Sequence, residues 1–130
     1  MPSRDVRFEL DPQVSVAPQS IGGAVNGTGI DLSGAEAALV ILDNGAATTP
    51  ATIKVQESVD NTTFTDVADT DLIGITGNSS GVAQTASTIV KVSYIGSKRY
   101  IRVATTAGTA ALFAAEVVRA HLRRAGGVPV

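Results

Sequence analysis

ASTIVKVSYIGSKRYIRVAT, residues 86–105, alternates apolar and polar side chains on both sides of a central Gly96-Ser97 pair. This alternation is typical of half-buried strands, and glycine supplies the positive φ that a tight turn needs. A two-residue loop predicts three cross-strand pairs: Tyr94 with Arg99, Val92 with Ile101, and Val90 with Val103. These pairs place Val90, Val92, Ile101 and Val103 on one buried face. A three-residue loop would oppose Val92 to Arg102 and mix the two faces, so we predict a regular hairpin with the shorter loop.

Turn-forming residues divide the rest of the chain in the same way. Gly, Asn-Gly, Asp-Asn and Pro recur about every ten residues, with Val, Ile and Thr between them. We predict about eight strands, centred on residues 13–16, 25–32, 37–42, 52–58, 64–67, 86–94, 100–105 and 112–120. The pattern predicts an all-β fold, an antiparallel, jelly-roll-like β-sandwich.

Two segments combine strand and helix signals. The unbroken apolar run from Ala37 to Leu42 predicts a strand covered on both faces, although Ser33 and Glu36 have the spacing of a helix-capping box. Gly34 and the Asn-Gly pair at 44–45 limit this run to about two or three helical turns, so we favour a strand. Residues 109–124 carry helix-favouring alanines and terminal arginines, and their periodicity does not separate helix from strand.

The composition indicates one domain with a thin core. The chain has 130 residues, 44% hydrophobic but only 4% aromatic, and contains no tryptophan. This length fits a single domain, and the core must come from valine, isoleucine, leucine and alanine, of which alanine contributes least on burial. We therefore expect contacts outside the chain, as in a homo-oligomer, to supply part of its stability.

Charge and cysteine content narrow the function classes. A formal net charge of −2 gives no long-range attraction to nucleic acid or to an anionic membrane, so we expect neither as a partner. The lack of cysteine excludes disulfides, thiolate nucleophiles and cysteine-ligated metals. No apolar run approaches the roughly 20 residues that span a bilayer, and residues 1–10 are too charged for a signal peptide.

The chain divides into three parts. Prolines discourage regular structure in residues 1–18, which we expect to form an extended N-terminal arm. Residues 19–122 form the predicted sandwich. Residues 123–130 form a basic C-terminal tail that contains glycine and proline.

Few residues are candidates for chemistry. His121 is the only histidine, so no histidine pair can hold a transition metal, and a Ser-His-Asp triad would depend on this residue. One stretch is rich in oxygen ligands of the kind that calcium takes, but its spacing matches no calcium loop. It contains Asp60, Asn61, Asp66, Asp69 and Asp71. Asx turns explain the same residues, and we expect no metal site.

Other catalytic patterns are incomplete. The glycines at 22–23 and 27–29 are not followed by the lysine of a phosphate-binding loop. Glu36, Glu57 and Glu116 are far apart in sequence, and nothing brings two of them to the separation of a glycosidase pair. We therefore expect no enzyme, no catalytic residue and no cofactor.

Four stretches in fixed order carry a family resemblance. They are GTGIDLSG (27–34), VQESVDNTTFTDV (55–67), DLIG (71–74) and VSYIGSKRYIRV (92–103). Together they resemble a family of small structural proteins of tailed bacteriophages, and the resemblance covers most of the chain. The family usually ends in a strand and a short basic tail, which favours a strand at 112–120. The alanine-rich residues 105–115 depart from the family pattern.

The resemblance implies a virion component without enzymatic activity. The leading expectation is a capsid decoration (cement) protein, made in the host cytoplasm, that binds the major capsid protein on the outside of the phage head. We expect a homo-oligomer, with a trimer favoured by the three-fold positions of icosahedral shells. The candidate interface residues are Arg4, Arg7, Phe8, Leu10, Arg119, Arg123 and Arg124.

Two alternatives stay open at this point. A tail, head-tail joining or head-fibre component would carry the same sequence features. A carbohydrate-binding module is disfavoured, because the chain has no tryptophan and only two tyrosines to form a sugar-binding platform.

Overall fold

Two antiparallel sheets pack face to face in a computed structural model that describes residues 9–122. The strands of this range are β1 (Leu10–Ile21), β2 (Val25–Asn26), β3 (Ile30–Asp31), β4 (Ala35–Asn44), β5 (Thr49–Ser58), β6 (Thr65–Asp66), β7 (Leu72–Ile73), β8 (Val82–Ala83), β9 (Thr88–Tyr94), β10 (Tyr100–Thr109) and β11 (Ala111–Leu122). Two short 3₁₀ turns, Asp69–Asp71 and Asn78–Ser80, lie in the loops. The predicted all-β sandwich is confirmed.

The five-stranded sheet has the order β1-β11-β4-β9-β7. The six-stranded sheet has the order β2-β10-β5-β6, with β3 also paired to β10 and β8 to β5. Between the sheets lies a core built mainly from β-branched and other aliphatic side chains. Its fully buried members include Ile21, Val40, Leu42, Ile53, Val55, Val92, Ile101, Val103 and Val117.

The predicted pairing of the two strands that flank Gly96-Ser97 is wrong. The side chains predicted to face the core are largely correct. β9 pairs with β4 and β7, whereas β10 pairs with β5, so the loop between β9 and β10 crosses from one sheet to the other. Val92, Ile101 and Val103 are all fully buried, and Val90 is half-buried. Alternation specifies which side chains face the core, and it is the same for two paired strands and for two strands on opposite sides of a sandwich.

Tyr94 explains the shape of this crossing loop. Its hydroxyl donates to Glu57 Oε1 at 2.7 Å and accepts the Lys98 backbone N–H at 3.0 Å. A Cβ on Gly96 would lie 2.6 Å from the tyrosine ring, so only glycine allows the loop to pass this close. The loop therefore folds over Tyr94 and does not reverse into a hairpin.

Both ambiguous segments form strands, which confirms the strands favoured at 37–42 and 112–120. β4 and β11 lie beside each other in the middle of the five-stranded sheet, where each has hydrogen-bonded neighbours on both edges. The inner side chains of β4, including Val40 and Leu42, are buried. Its outer side chains Leu39 and Ile41 are only half-buried, so the expectation that both faces of this run are covered is corrected.

The N-terminal boundary also moves. β1 pairs with β11 along its length, so the sandwich begins at Leu10 and includes residues that we had assigned to the arm. Pro12 and Pro18 are accommodated because β1 is an edge strand with two register shifts. Residues 1–8 and the tail 123–130 lie outside the described residues.

Candidate interaction surface

The outer face of the five-stranded sheet is the most unusual surface of the sandwich. Side chains alternate along each strand, and the inner set of this sheet fills the core, which assigns the remaining set to the outside. We call this outer set the apolar face. Its members are Leu10, Pro12 and Val14 on β1, Leu112, Ala114, Glu116, Val118 and Ala120 on β11, Ala37, Leu39, Ile41 and Asp43 on β4, Ile89, Lys91 and Ser93 on β9, and Ile73 on β7.

Large hydrophobic side chains are strongly exposed on the apolar face. The exposed fractions are 67% for Ile89, 59% for Ile73, 53% for Val14, 52% for Leu112 and 39% for Leu10. These are five of the seven exposed large hydrophobics among the described residues. Single exposed hydrophobics are ordinary, but a contiguous apolar sheet face is typical of a contact surface.

The amino-acid sequence produces this face through its two central strands. β4 contains the run Ala-Ala-Leu-Val-Ile-Leu, and β11 contains Ala-Leu-Phe-Ala-Ala-Glu-Val-Val, so both strands are apolar on both sides. Leu39 and Val118 are directly opposite each other across this pair and shield one another sideways. Leu39 is half-buried and Val118 is only 9% exposed, although no other element of the described chain crosses this sheet.

Three charged residues interrupt the apolar face. The cross-strand register places Val14, Glu116, Ile41 and Lys91 in one row across β1, β11, β4 and β9. The carboxylate and the ammonium group in this row are separated by the β4 strand, and neither has an ion-pair partner among the described residues. Asp43 lies one row away on β4, with its side chain exposed.

A hollow opens at one end of the apolar face. It lies beside the second register shift of β1, and its lining includes Pro18, Gln19, Ser20, Asp43, Leu112 and Ala114. Gly45 forms part of its wall, and a Cβ there would lie 2.9 Å from Leu112 Cβ. The hollow is thus a shallow depression bordered by Leu112 and Ala114 of the apolar face.

The outer face of the six-stranded sheet is different, because its polar groups bind one another. Lys54 Nζ is 2.9 Å from Asp66 Oδ2, and Gln56 Nε2 donates to Asp66 Oδ1 at 3.0 Å. Arg102 Nε donates to Gln56 Oε1 at 2.9 Å, and its guanidinium lies 4.1 Å from the centre of the Phe64 ring. Burial opposes ionisation of Asp66, but the hydrogen bonds from Gln56 and Lys54 outweigh it and hold its pKa below the usual value.

Two of the predicted interface residues lie in the described part of the chain. Leu10 is opposite Ala120 where β1 begins and β11 ends. Arg119 pairs with Asp11 across the same two strands, and this contact lowers the pKa of the Asp11 carboxyl. Its guanidinium also donates to the Asp31 carbonyl oxygen at 3.3 Å. Arg119 thus serves first as an internal link, while Arg4, Arg7, Phe8, Arg123 and Arg124 lie outside the described residues.

The acidic stretch is used to shape loops. Asp60 accepts the backbone N–H groups of Thr62 and Thr63, which lowers the pKa of its carboxyl. Asp69 accepts the N–H groups of Gly77 and Asn78, with the same effect on its pKa. Within residues 9–121, no three histidine or acidic side chains lie close enough to hold a metal ion.

Comparisons of the chain with family models, with curated proteins and with solved structures find no match. No helix in the described range is long and apolar enough to cross a membrane. Sequence reasoning included Leu10 among the candidate interface residues, but it missed Ile73 and Ile89. Ile89 carried a usable signal, because it is an outward position in a strand whose inward positions are valines.

Proposed function

We propose that this protein is a structural virion component, a decoration (cement) subunit that attaches to the major capsid protein on the outside of a phage head. The observation that carries the proposal is the apolar face, an exposed sheet surface suited to burial within a protein assembly. The family resemblance of the four stretches in residues 27–103 supplies the virion context.

The described residues favour assembly over recognition of a small molecule. The polar side chains of the six-stranded sheet already bond to each other, and the loop aspartates are occupied by backbone N–H groups. Two of the aromatic rings, Phe64 and Tyr100, lie beside arginine guanidinium groups. Stacking with sugars requires open ring faces, so this arrangement disfavours a carbohydrate-binding module.

The edge where β1 begins and β11 ends is the proposed site of attachment to the capsid. Leu10 lies on this edge beside Ala120, so both flanking segments of the chain join the sandwich at one corner. The basic and apolar residues Arg4, Arg7, Phe8, Arg123 and Arg124 belong to those segments. The guanidinium group of arginine can bind a carboxylate through two hydrogen bonds, and we propose contacts of this kind between this corner and the capsid protein.

Immunogold electron microscopy with antiserum against the full chain tests the proposal on purified particles. We expect label on the heads, and cross-links from this corner to the major capsid protein by mass spectrometry. Label confined to tails would favour a tail component, and absence from purified particles would contradict the proposal.

A capsid co-sedimentation assay tests the corner separately. Deleting residues 1–8, or changing Arg123 and Arg124 to Ala, should weaken binding to heads and leave the sandwich folded, because both changes stop short of the paired residues of β1 and β11. Lys98→Ala, an exposed lysine in the β9–β10 loop, is the matched control and should bind as the wild type does.

A further inference from the structure

We propose that the apolar face packs against the same face of a second copy of this chain, around a two-fold axis that runs along β4. This inference deepens the proposed function, on which it rests, by naming the first partner of the apolar face. The second copy is favoured over other occupants by the area of the face, by its charges and by its shape.

The area fits a stable dimer. The face spans four long strands at about 4.8 Å spacing and about ten residues at about 3.3 Å each, which gives roughly 600 Å² per copy. Stable interfaces bury about 600–1,000 Å² on each partner, so the face is large enough without any other element. Its central row contains Glu116 and Lys91 on either side of Ile41, and strongly exposed hydrophobic side chains lie towards its edges, at Leu10, Val14, Leu112, Ile73 and Ile89.

The charges are self-complementary. Glu116 and Lys91 lie in one row on either side of Ile41, about 10 Å apart across two strand spacings, and they form no ion pair within the described chain. A two-fold axis along β4 exchanges the positions of β11 and β9. Glu116 of each copy then lies over Lys91 of the other, and two intermolecular ion pairs form around an Ile41 contact.

The same two-fold axis also brings a protruding side chain over a depression. Ile89 and Ala114 are both opposite Asp43, on β9 and β11 respectively. The axis therefore places Ile89, the most exposed large hydrophobic of the described residues, over Ala114 of the second copy. Ala114 borders the hollow lined by Leu112 and Pro18, so the protruding side chain meets a depression.

Asp43 is the one charged residue of the apolar face that opposes the proposed dimer. It lies on β4 near the axis, so it faces Asp43 of the second copy at the margin of the contact. Two like charges at this distance oppose association. Neutralising this carboxylate should therefore tighten the dimer, an effect that no purely structural role of Asp43 within one chain would produce.

Sedimentation of the full chain over a range of concentrations tests the pairing through charge reversal. We expect a dimer for the wild type, and a dissociation constant raised about tenfold or more in Glu116→Lys and in Lys91→Glu, because each puts like charges together twice. The double variant should regain the wild-type constant. An equimolar mixture of the two single variants should form a heterodimer, in which both contacts are again between opposite charges.

Lys98→Glu is the matched control, since it reverses an exposed lysine outside the apolar face and should leave the dimer intact. Asp43→Asn should lower the dissociation constant about two- to fivefold. Urea unfolding of each variant verifies that the monomer fold is retained.

A monomer at all concentrations, a trimer mass, or a double variant that does not recover would overturn the pairing. The trimer expected from the sequence is thus decided by the same measurement. Because sedimentation uses the isolated protein, a monomer would overturn the pairing and leave the virion assignment standing. Absence from purified particles would contradict the virion assignment, and the two failures are therefore distinguishable.

Discussion

The two outer faces of the sandwich have similar strand geometry and opposite surface chemistry. On the six-stranded sheet, Lys54, Gln56, Asp66 and Arg102 form a connected polar network over the strands. On the five-stranded sheet, the outward positions are mostly apolar, and the charges of Glu116 and Lys91 lack partners in the described chain. The polar groups of one face bind one another, whereas the other face leaves large hydrophobic side chains exposed.

This difference separates folding from assembly. Both sheets send their inward side chains into one core, which supplies the stability of the single chain. The polar network adds modest stability to the monomer, whereas the apolar face leaves burial free energy available for association. Substitutions on the two faces should therefore have different readouts: unfolding for the six-stranded sheet and association for the five-stranded sheet.

The largest effect is expected at Asn78, which ties a loop to the six-stranded sheet. Its side chain is fully buried, donates to the Val55 and Val67 carbonyl oxygens at 2.8 Å, and accepts the Val55 N–H at 2.8 Å. Asn78→Ala removes the partner of the Val55 N–H and of the Val67 carbonyl oxygen, while the Val55 carbonyl oxygen still accepts the Val67 N–H. The variant should lower the unfolding free energy by about 2–4 kcal/mol. Urea unfolding measures this, and the exposed neighbour Ser79→Ala should show almost no change.

The next effect contrasts two side chains of β9 that point to opposite sides. Val92 is fully buried in the core, so Val92→Ala should lower the unfolding free energy by about 1–3 kcal/mol. Ile89 points outward, and Ile89→Ala should change it by less than about 0.5 kcal/mol at low protein concentration. Equal losses in the two variants under those conditions would mean that the apolar face is already part of the monomer core.

A smaller, pH-dependent effect is expected at Asp66. Its pKa is lower in the folded chain than in the unfolded chain, so its stabilising contribution is present above about pH 4 and is lost as the pH falls through the folded value. Asp66→Asn should cost about 0.5–1 kcal/mol at pH 7, because the carboxylate is partly exposed, and the difference from wild type should shrink towards pH 2.

Urea unfolding of the wild type and of Asp66→Asn at pH 7 and at pH 2 measures the difference in unfolding free energy at each pH. The control is Asp43→Asn on the apolar face, which lacks an ion pair within the described chain and should change monomer stability little at either pH. A constant difference between Asp66→Asn and the wild type across this range would contradict the assigned role of the network.

The smallest effect is expected at Arg102, which stacks on Phe64 and donates to Gln56. Arg102→Lys keeps the charge but loses the planar stacking, and should cost about 0.5 kcal/mol. Arg99 is the matched comparison, because it lies 5.2 Å from the Tyr100 ring and is 55% exposed in its ion pair with Asp31. Arg99→Lys should leave the unfolding free energy nearly unchanged. A larger loss of stability in Arg99→Lys than in Arg102→Lys would contradict the stronger stacking assigned to Arg102.

Local pattern was enough to establish the fold class and the buried faces of β9 and β10. The alternation in residues 86–105 correctly placed Val92, Ile101 and Val103 in the core, because side-chain direction follows from the two-residue period of a strand. These inferences depend only on neighbouring residues.

Strand partners and the position of the apolar face were decided by tertiary structure. The loop at Gly96 crosses between sheets because it folds over Tyr94, whose hydroxyl bonds Glu57, a residue 37 positions earlier in the chain. β1 joins the sheet by pairing with β11, about a hundred residues later in the sequence, and the local sequence around Pro12 and Pro18 does not predict this pairing. Long-range pairing of this kind aligned Glu116, Ile41 and Lys91 in one row, and a row across strands exists only once the register is formed.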